Sequence, residues 1–140
     1  LTLVRKVEPR LTLNALTSGH YLEIGRPGAS PWLGGLDIDD FDGNLVAAAA
    51  SLGFDAVSPV HGGPFRSGVG DPSYRPFVTT AMVDDAHAAG MRVIPYTVDD
   101  PATMRVLVEL GVDGLITNYP DRLLNVLRAA GIAVPTQYPA

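Results

Sequence analysis

The side chains of this sequence that could do chemistry fall into four small groups, each closing a short apolar run. They are Asn14 and Thr17; Ser58 and His61; Tyr96, Thr97 and Asp99; and Thr117 and Asn118. If the runs are parallel strands, their C-terminal ends share one rim, the face on which parallel βα folds bind ligands. His61 has the widest repertoire of the set. An imidazole there can bond a phosphate or a hydroxyl, or titrate near neutrality. A loop histidine that merely bonds a backbone carbonyl carries the same signature, so both readings stay open. The Ser and Thr residues read as ordinary polar strand ends. His87 falls mid-helix and His20 in a long loop, places where histidines are structural or solvated. Arg66 and Arg75 flank a glycine-rich loop, where guanidinium groups could meet an anion. The acidic run 37–43 invites a calcium reading and fails it. Phe41 stands at the fifth position, the glycine comes one place late, and Ala48 occupies the place of the bidentate glutamate. Carboxylates ahead of a helix are favoured by its dipole alone.

Periodicity supplies the elements that must position these groups. Leu3, Val4 and Val7 have helical spacing, and Pro9 stops that helix. Residues 10–16 alternate as a strand. Residues 17–40 are Gly/Pro-rich and non-periodic, a long rim loop for Trp32 and Leu33 to pin. A helix over 44–52 leads to a strand over 55–60. A second rim loop covers 61–77, and a helix capped by Thr79 or Thr80 covers 81–89. A strand over 92–98 follows. Asp100 is then a natural N-cap and Pro101 suits the first helical position, where no N–H is needed. Another strand over 112–117, a helix over 120–130 and a coil tail over 132–140 complete the chain. Gly53, Gly90, Gly111 and Gly131 each follow a helix, as left-handed stops do. The last three are 21 and 20 residues apart, about one strand-helix unit. The pattern predicts an α/β fold of four parallel (β/α) units. That is about half of the roughly 250 residues of a closed (β/α)8 barrel.

The chain has 140 residues, 46% hydrophobic and 18% charged, which suits one domain with a real core. A net charge of −5 argues against general nucleic-acid or acidic-membrane binding. With no cysteine, disulfides, thiolate chemistry and Cys-ligated metals are excluded. The longest apolar run, 45–52, is too short to span a bilayer. The sequence opens on Leu1 without a methionine, so a processed or truncated start is expected and the compartment stays open.

The stretch GMRVIPYTVDDPATMRVLVELGVDGLITNYPDRL, beginning at Gly90, resembles the C-terminal end of the glycerophosphodiester phosphodiesterase family. That family ends in G-[apolar]-V-x-x-W-T-V-N-D/E, a helix, then G-V-D-G-I-I-T-D-x-P. The resemblance extends back through Ser58–His61 and Tyr74–Phe77, and more weakly to about residue 10. It implies that residues 1–140 are the C-terminal half, strands five to eight, of a TIM-type (β/α)8 barrel. It also implies that the complete enzyme hydrolyses glycerophosphodiesters to an alcohol and sn-glycerol 3-phosphate. Tyr96 stands where the family has tryptophan, an aromatic packed on the substrate's glycerol; its flat face suits CH groups. Asp99 replaces the usual asparagine, and Asn118 the usual aspartate. The substrate contacts expected here are therefore Tyr96, His61 and Asp99.

The family's early His-Arg-Gly and His-Asp, its general acid and base, have no counterpart in this sequence. Nor do the Glu-x-Asp and Glu/Lys motifs that hold a divalent cation, Mg or Ca. No catalytic or metal residue is carried onto this chain, which by itself is expected to be inactive. The alternative is a non-catalytic half-barrel that pairs through open edges at strands 10–16 and 112–117. The partners expected are thus the phosphodiester substrate and either the barrel's N-terminal half or a second copy.

Overall fold

A computed structural model describes residues 1–31 and 33–136. Helix α1 (Thr2–Val7) leads to β1 (Asn14–Thr17), α2 (Gly19–Leu22), a 3-10 turn (Ile38–Phe41) and α3 (Leu45–Ser51). Then come β2 (Ala56–Pro59), β3 (Gly62–Gly63), β4 (Arg75–Pro76), α4 (Thr80–Ala88), β5 (Arg92–Val93), α5 (Pro101–Glu109) and α6 (Pro120–Ala129). The parallel sheet has the order β1-β2-β5, with Ala15, Val57 and Val93 in register. All four β2 residues are buried, as a central strand covered on both faces requires.

The two faces differ. Val57 and Val93 share one, and they join Val83 and Ala86 of α4 and Met104 and Leu107 of α5 in a single apolar core. The register puts Leu16, Ser58 and Ile94 on the other face. There Ser58 is fully buried, whereas Leu16 is 61% exposed.

Local chemistry fixes the helix ends. The side chains of Asn44, Thr79 and Asp100 accept the N–H groups of Ala47, Met82 and Thr103. Each such cap contributes about 1 kcal/mol. Gly53, Gly90, Gly111 and Gly131 all have positive φ, as the stop pattern requires. At the foot of the sheet one device occurs twice. Asp55 donates its N–H to the Leu13 carbonyl and accepts the Leu13 N–H on its carboxylate. Asp113 does the same with Val93.

Of the four expected strands, three come out shorter and the fourth, 112–117, is not a regular strand. β1 begins at Asn14; in the segment before it the Arg5 guanidinium donates to the carbonyls of Pro9 and Leu11. β5 stops at Val93; beyond it the Ile94 N–H still reaches the Val57 carbonyl, and Tyr96 makes one isolated bridge to Val60. Residues 112–117 run beside it without forming a regular strand. Asp113 N–H reaches the Val93 carbonyl and Ile116 N–H the Pro95 carbonyl, both at 2.9 Å. That spacing sets one extra residue against the partner, as in a bulge, and Pro95 has no N–H to give back.

Both expected rim loops contain structure. The 17–40 loop holds α2 and part of the 3-10 turn, and the 61–77 loop closes through the β3–β4 hairpin. Leu33 packs against the core, while Trp32 and residues 137–140 lie outside the described residues.

Candidate functional site

A cleft of about 840 Å³ lies at the C-terminal ends of β2 and β5. Three segments border it: the turn after β2, the loop between β5 and α5, and the start of α6. His61, Tyr96 and Asp99 all line this cleft, so the fold brings the three expected residues together.

His61 is 7% exposed. Its Nδ1 lies 3.1 Å from the Tyr74 hydroxyl, which donates to the His61 carbonyl at 3.2 Å. A phenol has one hydrogen. Making both contacts together therefore requires Nδ1–H to donate to the hydroxyl, which leaves the Nε2 lone pair free of Tyr74. The two rings stack at 5.7 Å. Burial holds the His61 pKa below its ordinary value, against the opposing charges of Asp100 and Asp99. Tyr74 belongs to this arrangement and its phenol pKa is raised by burial, yet nothing in the sequence pairs it with His61 thirteen residues away.

Tyr96 reaches across the top of β2 and donates its hydroxyl to the Thr17 carbonyl at 3.1 Å. The ring is thereby held over the strand ends with its hydroxyl already engaged. Burial, then nearby Tyr21, raises its pKa.

Asp99 is committed within the protein. Oδ1 accepts from the Thr117 hydroxyl and the Asn118 N–H, and Oδ2 from the Asn118 amide, at 2.9–3.1 Å. Partial burial works to raise its pKa, but the Asn118 and Thr117 donors and the Arg122 charge prevail and lower it. This carboxylate ties the segment after 116 to the segment after β5. Asp100 is engaged likewise. Its Oδ2 accepts both the N–H and the hydroxyl of Thr103, whose Oγ1 in turn accepts the Val69 N–H. Gly68 makes this close approach possible, since a Cβ there would lie 2.6 Å from Thr103 Oγ1.

The cleft's cations were less legible in the sequence. Arg122 lies over the Tyr119 ring at 3.8 Å and donates from Nη1 to the Asp99 carbonyl. The three-residue spacing on a helix start was the available signal. Arg66, which the sequence did flag, lines the cleft; Arg75 instead donates to the carbonyls of Pro72 and Tyr74.

Other candidates have structural partners. Asn14 donates to Ser58, whose hydroxyl donates to the Ile94 carbonyl. His87 meets Asp113 at the foot of the sheet, and the carboxylates of Asp37 and Asp39 accept the N–H groups of Gly28 and Gly25. No group of three or more His, Asp or Glu side chains among the described residues could hold a metal ion. Asp99 and Asp100 are engaged by internal donors; the resemblance places the divalent cation's ligands outside this chain.

Parallel strands with a cleft at their C-terminal ends define a βα protein, and that face is where such folds bind small ligands. The chain belongs to the glycerophosphoryl diester phosphodiesterase family, whose model matches residues 43–122, from just before α3 to the first turn of α6. It is similar to "Probable glycerophosphodiester phosphodiesterase 2" of Mycobacterium tuberculosis, 46% identical over 56 residues, covering 40% of this chain and 21% of that protein. Its structure resembles that of a protein from Silicibacter pomeroyi named as a glycerophosphoryl diester phosphodiesterase, with TM-score 0.65 and 27% identity, over 94% of this chain and 35% of that one. It also shares its fold with a phosphodiesterase from Oleispira antarctica solved in complex with the product sn-glycerol-3-phosphate. There the TM-score is 0.55 and the identity 16%, over 89% of this chain and 36% of that one. The chain thus spans well under half the length of these relatives.

Proposed function

We propose that the protein containing this chain is a glycerophosphodiester phosphodiesterase that releases an alcohol and sn-glycerol 3-phosphate, and that these residues form the C-terminal half of its barrel. The carrying observation is the family match over the segment that builds the cleft. Tyr96 presents its ring face to the glycerol carbons, and His61 offers Nε2 to a glycerol hydroxyl. Asp99 acts as a positioning residue that holds residues 117–118 against the loop after β5. The acid, the base and the cation's ligands lie on the other half.

Two features of β1 support a barrel completed by further chain. Among the described residues it has a strand neighbour on one side only. The Oδ1 of Asn14 is also buried without a partner, a situation that costs about 1–3 kcal/mol until a donor reaches it. The test is hydrolysis of glycerophosphocholine, with divalent metal, by the longer polypeptide and by residues 1–140. Release of sn-glycerol 3-phosphate by the longer protein only is expected. Equal activity in the 140-residue chain would end the division of labour.

The open β1 edge also favours a second reading, a half-barrel that pairs with its own copy. Sedimentation of residues 1–140 distinguishes them: a dilute monomer removes the self-pairing reading.

A further inference from the structure

We propose that Arg66 and Arg122 form an oxyanion-binding rim on the cleft, taking the phosphate class of anion; this rests on the phosphodiesterase reading above. The argument starts from an inventory of donors and acceptors. The two carboxylates of the cleft, Asp99 and Asp100, are engaged by Thr117, Asn118 and Thr103. The two guanidinium groups keep most of their donors free. Arg122 uses one donor, to the Asp99 carbonyl, and Arg66 makes no hydrogen bond or ion pair among the described residues. A guanidinium carries five N–H donors. The cleft therefore presents surplus N–H donors at its guanidinium edges, complementary to a ligand rich in acceptors, while the charges of Asp99 and Asp100 formally balance the two arginines.

Geometry strengthens this. Each guanidinium lies against an aromatic ring, Arg122 at 3.8 Å over Tyr119 and Arg66 at 5.3 Å over Phe65. A guanidinium resting over a ring keeps its N–H donors available at its edge, and a planar fork of donors can meet phosphate oxygens two at a time. Phe65 is 88% exposed, so it contributes little to the core and serves as a ledge for Arg66. The backbone of Arg66 has φ +66°, a left-handed conformation that costs a branched-chain-free residue about 1 kcal/mol or more. The turn that imposes it is bonded from Ser67 to Pro64, by N–H and by hydroxyl. Val69 then anchors the same loop to Thr103 at the start of α5. Arg66 is thus placed by the fold on one border of the cleft while Arg122 occupies another.

The test uses the longer polypeptide, with Arg66→Gln, Arg122→Gln, the double variant, Arg122→Lys and, as a charge control outside the cleft, Arg105→Gln. Calorimetric binding of inorganic phosphate is expected to weaken about tenfold for each cleft arginine removed, the scale of a charge-assisted hydrogen bond. Arg122→Lys should recover part of the loss, and Arg105→Gln should change nothing. Kinetics identify which anion is held. A KM raised for every diester, with kcat within about twofold, assigns the rim to the reacting phosphate. A KM raised only for diesters with an anionic alcohol assigns it to the head group. Absence of phosphate binding in the parent protein, unchanged affinity in the double variant, or an equal loss in Arg105→Gln would overturn the rim. If the parent cleaves no glycerophosphodiester yet phosphate binding still falls in the variants, the rim stands and the catalytic reading fails.

Discussion

His61 illustrates what one side chain gains from its surroundings. Its ring is buried against Tyr74, and burial lowers its pKa from the ordinary histidine value of 6.5. The unfolded chain then binds the proton more readily than the folded one. The histidine's contribution to stability is therefore complete above pH 6.5 and is lost as pH falls through the lower folded value. Denaturation curves between pH 8 and 5 should show that decline, and His61→Gln should flatten it; an unchanged slope in the variant would remove His61 as its source. The sequence placed His61 and Tyr96 on the rim because strand ends can be located from pattern. It did not foresee that the Asp99 carboxylate is engaged internally, since that depends on Thr117 and Asn118 arriving from a separate segment.

At the scale of elements, the hairpin that brings Tyr74 to His61 depends on an absent side chain. A Cβ on Gly62 would lie 2.5 Å from the Tyr74 ring and 2.6 Å from the Arg75 carbonyl. Backbone cannot yield as a side-chain tip can, so Gly62→Ala should destabilise by about 1–3 kcal/mol. It should also separate the two rings. Gly70→Ala, with nothing within 4 Å of its added Cβ, is the matched control. Urea midpoints and the His61 ring resonances measure both effects, and equal midpoints for the two variants would refute the packing argument. The helices were legible because Asn44, Thr79, Asp100 and the four stop glycines act locally. The fourth strand was not. Leu115, Ile116 and Thr117 look β-forming, but Pro95 has no N–H to give the ladder, and the partner returns a bond only at Val98, whose N–H reaches the Ile116 carbonyl.

For the whole molecule, Leu16 is the most direct probe of closure. It lies on the face opposite the helices and is 61% exposed in this chain. In residues 1–140 alone, Leu16→Lys should change stability by no more than about 0.5 kcal/mol, as exposed substitutions do. In the longer polypeptide, a barrel interior would bury that position, and an unpaired lysine there should cost about 2 kcal/mol or more. Equal effects in both would speak against closure by further chain. The sequence by itself determined the succession of units, their caps and stops, and which residues close the strands, because those depend on neighbours a few positions away. Only the tertiary structure decided which carboxylates are engaged, which guanidinium groups keep free donors, that Tyr74 backs His61 and that Arg122 lines the cleft. Those properties arise where segments distant in the chain meet, and local periodicity carries no information about distance across a fold.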